Sequence, residues 1–252
     1  MRSYLIRAAR GVLLPLLCLA ACEPGRSTPT VAATPPPSPR RADGATAGDP
    51  LGIGEPRKAQ PFTIEQRLLD AVSRGDRRTI EHALERGAPL SAKDDIGRSV
   101  VLLAALDAGD LELVRWLHAK GAALDEPDNG GRTALSFAAA NGRLDIVQYL
   151  VENGAAVDGA DVQRRTPLFH AVAGDQRAVA GFLVERGANV NVRDQFGDTP
   201  LMVACAKGFD GTAAFLLQHG ADATLKDQEG RTARERAAAG TAACLGSATP
   251  SP

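Results

Sequence analysis

The feature that most constrains this chain is a glycine-alanine pair that returns at a fixed interval. The pairs that begin at Gly121, Gly154, Gly187 and Gly220 follow one another every 33 residues, and a further pair at Gly87 precedes them by 34. A period of this length marks a chain built from one repeated supersecondary unit. Such a unit cannot bury its apolar face alone, so neighbouring units must stack to form one continuous core.

A second marker indicates where helices begin within the unit. Thr133, Thr166, Thr199 and Thr232 can each accept a backbone N–H bond as a helix N-cap, and proline follows two of them at the first helical position. We therefore predict that a helix begins after each threonine. The first helices carry small side chains, such as those of Ala138-Ala139, that let a neighbouring helix approach closely.

A second helix follows the first in each unit. Its apolar residues lie on one helical face, as at Leu144, Val147, Leu150 and Val151. The glycine of the next glycine-alanine pair, here Gly154, suits the left-handed conformation that ends a helix. The sequence thus predicts an all-α fold of stacked helix pairs.

Together the two markers resemble the ankyrin repeat. That family's pattern runs from Gly-x-Thr-Pro-Leu to Gly-Ala-Asp-Val-Asn, and the fourth unit ends Gly187-Ala188-Asn189-Val190-Asn191. The resemblance implies an elongated ankyrin-repeat solenoid, in which finger loops join about five repeats and a C-terminal half-repeat cap. It also implies a protein that binds other proteins and does not catalyse a reaction.

Several units depart from the family pattern. In the second unit the markers Gly109 and Gly121 lie one residue late, which predicts a single insertion near Val100. In the fourth unit, Arg164 stands where the finger usually has glycine. We interpret the first unit, which has no Thr-Pro-Leu, as an N-terminal cap. The last unit, which begins at Thr232, carries polar residues where apolar ones would stand, as a terminal cap requires.

The N-terminus predicts a signal peptide and a lipid attachment site. Three arginines accompany the apolar run 11–21, which is too short to span a bilayer. The run ends Leu19-Ala20-Ala21-Cys22, which resembles the lipobox of bacterial lipoproteins. This resemblance implies cleavage before Cys22 and acylation of its sulfur, and two or more acyl chains hold a protein stably on a membrane. The alternative is an ordinary secretory signal in which Cys22 is incidental.

Composition predicts a disordered linker after the lipid site. Nine of the 16 prolines lie between Glu23 and Pro61. Such a segment has too little apolar surface to offset the entropy of ordering it. The predicted domains are a lipoprotein signal peptide at 1–21, the lipidated cysteine and linker at 22–61, the ankyrin repeats at 62–243 and a disordered tail at 244–252.

Charge and composition argue against several kinds of site. Residues 62–252 contain 21 Lys and Arg against 26 Asp and Glu, so they lack the basic surface on which nucleic-acid binding usually depends. The four histidines show no paired spacing for a metal, and paired acids such as Asp94-Asp95 are expected to be solvated. We expect no catalytic residue, metal, cofactor or nucleic acid, and we expect a monomer.

By family resemblance, protein partners bind the fingers and the first helices on a concave face. Apolar fingertips are the most informative positions, because clustered apolar exposure usually marks an interface, although single exposed apolar side chains are ordinary. Phe169 either joins this face or is buried, and Trp116 is expected in the core. The predicted contact residues are Asp95, Ile96, Arg98, Asn129, Arg132, Val162, Gln163, Arg165, Phe169, Gln195, Phe196, Asp198, Gln228, Glu229 and Arg231.

Two cysteines remain after the predicted processing. Cys205 occupies a small-residue position of a first helix and Cys244 lies beyond the repeats. The sequence leaves open whether they pair, because a disulfide also depends on an oxidising compartment.

The whole pattern predicts a protein-binding scaffold held by lipid on a membrane and facing the periplasm. One interpretation is an inhibitor or immunity protein against a secreted effector. The alternative is an envelope stress or metabolic accessory protein that supports a periplasmic enzyme. In bacterial lipoproteins an aspartate after the lipidated cysteine is linked to retention in the inner membrane. Here Glu23 follows Cys22, so the resemblance favours the outer membrane.

Overall fold

Helix pairs in succession make up the fold. The computed structural model describes residues 62–237 and Cys244. The predicted signal peptide, Cys22 and the linker lie outside these residues. Over the described part the chain forms helices and no β-strand, and none of these helices is long and apolar enough to cross a membrane.

The pairs follow the period of the sequence. The helices are α1 Ile64–Ser73, α2 Arg77–Glu85, α3 Val100–Leu103 with a π-helical turn at Ala104–Ala108, α4 Leu111–Ala119, α5 Ala134–Ala140, α6 Leu144–Glu152, α7 Pro167–Ala173, α8 Arg177–Glu185, α9 Pro200–Lys207 and α10 Asp210–Gln218. Each first helix packs on its own second helix and on the first helices of neighbouring pairs, as α7 does on α5, α8 and α9. Buried alanine, leucine and valine side chains run through all five pairs as one core. The predicted all-α ankyrin solenoid is confirmed.

Threonine and serine hydroxyl groups cap the N-termini of the first helices. Thr133, Thr166 and Thr199 each accept a bond from the N–H three residues further on, and proline opens the helix after the last two. The predicted helix starts are confirmed at these threonines. The predicted start at Thr232 is wrong, because the chain there makes a turn at 233–236 and no α-helix among the described residues.

The last unit forms a turn because it lacks an apolar face. Among residues 232–237 only Ala233 is buried, whereas the first helices α3, α5, α7 and α9 bury most of their length. A short helix depends on such packing more than on intrinsic propensity. Reciprocal bonds close the turn instead: the Thr232 N–H donates to Glu235 Oε2 at 2.7 Å, and the Glu235 N–H donates to Thr232 Oγ1 at 3.4 Å.

A π-helical turn accommodates the insertion in the second unit. Ser99 caps α3 in the same register as the threonines of later units. The extra residue is taken up within Ala104–Ala108, where the Gly109 N–H donates to the Ala104 C=O at 2.9 Å. The insertion therefore lies beyond the predicted position near Val100. A π-turn inside the helix absorbs one residue and leaves the capped start in place.

Residues in the left-handed conformation follow the helices and also occur in the fingers, and two of them in the fourth unit are not glycine. Gly154, the predicted end of α6, has φ 93°. Asp175 has φ 56° where the third and fifth units carry glycine, and Arg164 has φ 62° in the finger. A side chain in this conformation costs about 1–2 kcal/mol. The Asp175 carboxylate offsets this cost by accepting a bond from the buried Thr212 hydroxyl at 2.6 Å.

Replacing Arg164 with glycine is expected to raise the free energy of unfolding by about 1 kcal/mol, because glycine adopts positive φ without strain. The same change at Asp175 is expected to give no gain, since it leaves the buried Thr212 hydroxyl without its acceptor. Urea denaturation of both variants beside the parent protein measures the difference. Equal stabilisation by the two changes would contradict the role assigned to Asp175.

Candidate functional site

The finger loops between helix pairs share one construction. Each begins with an aspartate whose Oδ1 accepts the backbone N–H groups of the residues two and four positions further on, at 2.8–3.1 Å. Two bonds to one oxygen fold the loop back on itself. The finger aspartates are Asp94, Asp128, Asp161, Asp194 and Asp227.

In four of the fingers an arginine of the loop forms an ion pair with the finger's aspartate. Its guanidinium donates to Oδ2 of the same aspartate at 2.6–3.1 Å. The aspartate side chains in three of these fingers are only 1–2% exposed, so the pairs are less screened by water than surface ion pairs. The four arginines are Arg98, Arg132, Arg165 and Arg231.

The finger aspartates are not among the predicted site residues. The sequence predicts that acids such as Asp94 are solvated, whereas the Asp94 side chain is 21% exposed and bonded to Arg98 and to two backbone N–H groups. A signal was present, since aspartate recurs at 128, 161, 194 and 227 with the 33-residue period of the fold. A polar residue that recurs with the same period as the buried residues occupies the same place in every unit. Such a recurrence indicates a structural role in the fold.

Backbone hydrogen bonds join the fingers into one row. The second residue of each finger donates its N–H to the C=O of the third residue of the preceding finger. These bonds are Asn129 to Ile96 at 3.0 Å, Val162 to Gly130 at 3.0 Å, Gln195 to Gln163 at 2.8 Å and Gln228 to Phe196 at 3.0 Å. We name residues 94–99, 128–133, 161–166, 194–199 and 227–232 the finger row.

Three large apolar side chains stand exposed on the finger row. Ile96 is 49% exposed, Val162 70% and Phe196 56%. Among the large apolar residues that the structure describes, Phe62 is the only other one that is exposed. Their concentration on one row of hydrogen-bonded loops favours an interface over scattered surface composition.

The predicted contact residues differ in accessibility. Phe169 is 5% exposed, because α7 is enclosed by α5, α8 and α9, so the ring is buried and does not offer an aromatic anchor. The half-buried residues are Arg98, Arg132, Gln163, Arg165, Asp198 and Arg231, of which the arginines bond to the finger aspartates. The exposed residues are Asp95, Ile96, Asn129, Val162, Gln195, Phe196, Gln228 and Glu229.

A histidine joins the ion pair of the fourth unit's finger. His170 Nε2 lies 3.1 Å from Asp161 Oδ2, which also accepts a bond from Arg165. Burial raises the pKa of Asp161, but the backbone N–H and guanidinium of Arg165 outweigh it and hold that pKa below its ordinary value. Burial lowers the pKa of His170, and the positive charges of Arg165 and Arg132 lower it further. Together they outweigh the Asp161 carboxylate, which raises it. The imidazole is therefore neutral at pH 7.

Other singled-out side chains serve packing. His118 Nδ1 lies 2.8 Å from the Tyr149 hydroxyl, and His219 Nδ1 lies 2.8 Å from the Phe215 C=O. Trp116, which is expected in the core from the sequence, is half-buried and packs against the core from outside. The described residues contain no group of three or more His, Cys, Asp or Glu side chains placed to hold a metal ion.

Cys205 and Cys244, whose pairing the sequence leaves open, form a disulfide. Their Cα atoms are 5.9 Å apart, within the usual range for such a bond. Cys205 is fully buried in α9. The bond therefore ties residue 244 to the interior of the last helix pair.

The repeated geometry agrees with the comparison to known families. A family model described as ankyrin repeats (3 copies) matches residues 68–161, 101–194 and 168–245. Because these matches together cover more than two thirds of the 252-residue chain, the protein belongs to the ankyrin-repeat family. Ankyrin repeats suggest that the protein is a scaffold for protein–protein interaction. The chain matches none of the curated proteins.

Asp161→Asn is expected to lower the free energy of unfolding by about 2 kcal/mol at pH 7, because Arg165 and His170 lose a buried carboxylate partner. The stability that Asp161 contributes is present above its ordinary pKa of 3.8 and is lost as the pH falls through the lower folded value. Acidification from about pH 5 to pH 3 should therefore destabilise the parent more steeply than the variant.

Urea denaturation across this pH range measures both effects. Asp95→Asn is the matched control, since Asp95 is an exposed finger residue, and its change should stay within about 0.5 kcal/mol. Equal losses at Asp95 and Asp161 would contradict the structural role of the finger aspartate.

Proposed function

We propose that this protein is a lipid-anchored scaffold of the bacterial cell envelope that binds another protein through the finger row. The observation that carries the proposal is the exposure of Ile96, Val162 and Phe196 on loops already ordered by hydrogen bonds. Because an ordered surface loses little conformational entropy on docking, more of the apolar contact is realised as affinity. We expect the scaffold itself to be monomeric.

The residues around the apolar fingertips indicate the chemistry of the partner. Asn129, Gln195 and Gln228 are exposed at the second position of their fingers. Their amides can donate and accept hydrogen bonds without adding charge, and the arginines in the fingers of Asn129 and Gln228 are paired with aspartate. An apolar centre with a polar rim is the usual anatomy of a protein interface. The matching partner surface is apolar at its centre and carries polar groups around it.

Two observations support the location. Leu19-Ala20-Ala21-Cys22 resembles a lipobox and would place two or more acyl chains on Cys22, which hold a protein stably on a membrane. The Cys205–Cys244 disulfide supports an oxidising compartment, because such bonds are rare in the cytosol. The scaffold would then face the periplasm, with Glu23 favouring the outer membrane.

Within this function we favour an inhibitory partner, such as a secreted effector against which the protein gives immunity. A preformed surface suits tight stoichiometric binding, which is what inhibition requires. Deletion strains separate this role from that of an envelope stress or metabolic accessory. Loss of survival beside attacking neighbours supports immunity, whereas sensitivity to peroxide or envelope stress supports the accessory role.

Cys22→Ser is expected to abolish the incorporation of labelled fatty acid, because the acyl chains are attached to that sulfur. Metabolic labelling of cells, followed by purification of the full chain, measures the modification. Cys18→Ser is the matched control, since Cys18 lies in the same apolar run and is removed with the signal peptide. Labelling that persists in Cys22→Ser, or that is lost in Cys18→Ser, would contradict the proposed anchor.

Phe196→Ser is expected to weaken partner binding by about tenfold or more, as removal of an aromatic side chain from an interface centre commonly does. The full chain in detergent is used to capture proteins from envelope extracts, and the affinity for the captured protein is then measured. Phe62→Ser is the matched control, because Phe62 is also exposed but lies outside the finger row. It should leave binding unchanged.

The melting curve of each variant verifies that the repeats remain folded. The triple variant Ile96→Ser, Val162→Ser and Phe196→Ser extends the test to the whole apolar set. A partner retained equally by the parent, the control and the triple variant would show that binding does not use the fingertips.

A further inference from the structure

One finger of the row carries a side chain where the other four carry glycine. Arg164 is the fourth residue of its finger, and the matching residues of the other fingers are Gly97, Gly131, Gly197 and Gly230. All five have positive φ, from 62° to 83°. Glycine adopts this conformation without strain, whereas arginine does not. Arg164 therefore occupies its position at a cost in stability.

The packing of neighbouring fingers adds to this cost. A Cβ atom on Gly131 would lie 3.0 Å from the backbone nitrogen of Val162, and one on Gly197 would lie 3.1 Å from that of Gln228. These two nitrogens donate the bonds that join one finger to the preceding one. The position thus disfavours a side chain both by its φ and by the closeness of the next finger. Strain of this kind is concentrated at functional sites.

Arg164 lines a cavity between its own finger and the segment that leads into the next one. The cavity has a volume of about 410 Å³, and Thr166, Asn189, Asn191 and Arg193 are among its other lining residues. Arg164 is exposed, and within the part of the chain that the structure describes its guanidinium takes part in no ion pair or side-chain hydrogen bond. The cavity therefore has a cation in its wall that no acid of the described chain neutralises.

Two further side chains bring N–H donors to the cavity. Arg193 donates Nε to the Gly197 C=O at 3.3 Å and Nη2 to the Lys226 C=O, so its Nη1 remains for a ligand. Asn189 accepts the Asn191 N–H through Oδ1 at 2.9 Å, and its amide nitrogen can donate. Because these bonds already hold both side chains, the donors are fixed before a ligand arrives.

We propose that this cavity binds a carboxylate of the partner protein and that Arg164 is the residue that selects it. A guanidinium holds a carboxylate through two parallel N–H···O bonds, a geometry that a single ammonium group cannot match. The inference deepens the proposed function and rests on it for the partner. Binding of an acidic peptide to the cavity does not depend on that function.

A carboxylate suits the cavity better than a phosphate does. Residues 62–252 contain 26 acidic against 21 basic side chains, so the folded part repels a multiply charged anion more than a singly charged one. Ala160 and Val192 also line the cavity and add apolar surface. The methylene groups of a glutamate can cover such surface, whereas a phosphate cannot.

The position of Arg164 explains how the cavity contributes to specificity. Arg164 lies two residues after Val162, an apolar side chain of the finger row that is 70% exposed. A partner that packs on Val162 removes water from around the guanidinium, and an unpaired buried charge is costly. A partner with an acidic residue beside its apolar centre is therefore favoured over one that lacks it.

Titration of the full chain in detergent with a short peptide tests the cavity. The probe is a blocked tripeptide with glutamate between two glycines, and the control peptide has glutamine in place of glutamate. NMR follows the side-chain resonances of Asn189 and Arg193. The glutamate peptide should shift them saturably with a Kd on the order of 1 mM, and the glutamine peptide should bind about tenfold more weakly.

Inorganic phosphate is a further arm of the same titration, and it should bind more weakly than the glutamate peptide. Tighter binding of phosphate would overturn the assignment to a carboxylate. Shifts that do not saturate, or equal binding of the glutamate and glutamine peptides, would overturn the site itself.

Variants assign the binding to Arg164. Arg164→Gly should weaken the glutamate peptide about tenfold or more while the protein stays folded, since glycine relieves the strain at this position. Arg164→Lys should weaken it about threefold, because the charge remains without the paired donors. Arg78→Ala is the matched control, since Arg78 is an exposed arginine of α2 outside the cavity. Unchanged binding in Arg164→Gly, or an equal loss in Arg78→Ala, would refute the role of Arg164.

The captured partner provides the second test. Arg164→Gly should weaken its binding about tenfold, as loss of a charge-assisted contact commonly does. A partner bound equally by the parent and Arg164→Gly would contradict the assignment of the cavity to that interface. Failure to capture a partner would count against the proposed function, whereas the peptide titration decides the cavity without one.

Discussion

The rest of the structure depends on the hydrogen bonds of the aspartate that begins each finger, which is buried in four of the five fingers. Its Oδ1 fixes two backbone N–H groups of the loop, which leads directly into the threonine or serine that caps the first helix. Because the loop has one shape, its second residue can donate to the finger before it in every unit. A single carboxylate per repeat thus couples the helix start, the finger and the alignment of neighbouring repeats.

This coupling orders the loops that carry the proposed binding surface. Loops usually carry function because a rigid scaffold positions them, and here the rigidity extends into the loops themselves. The side chains of Ile96, Val162 and Phe196 remain exposed on these ordered loops. In the fifth unit Asp198 takes the place of the finger arginine, and Arg236 from the following turn donates to its carboxylate.

Some elements could be predicted from residues alone because their cause is local. Thr133, Thr166 and Thr199 cap helices through bonds that span three residues, and Gly154 ends α6 through its own backbone conformation. The same local reasoning failed at Thr232. That threonine makes its cap bond, but the residues after it have no apolar face to bury, and only packing would have extended the turn into a helix.

By itself, the sequence determined the repeat unit, the all-α solenoid and the positions of the fingertips, since a 33-residue period repeats the same local bonds and the same buried face in each unit. Only the tertiary structure decided which fingertip side chains stay exposed, that Phe169 is buried, that the finger aspartates are shielded, and that Cys205 meets Cys244. Each of these depends on contacts between residues far apart in the chain, and local spacing carries no information about which distant groups will enclose a side chain or bond to it.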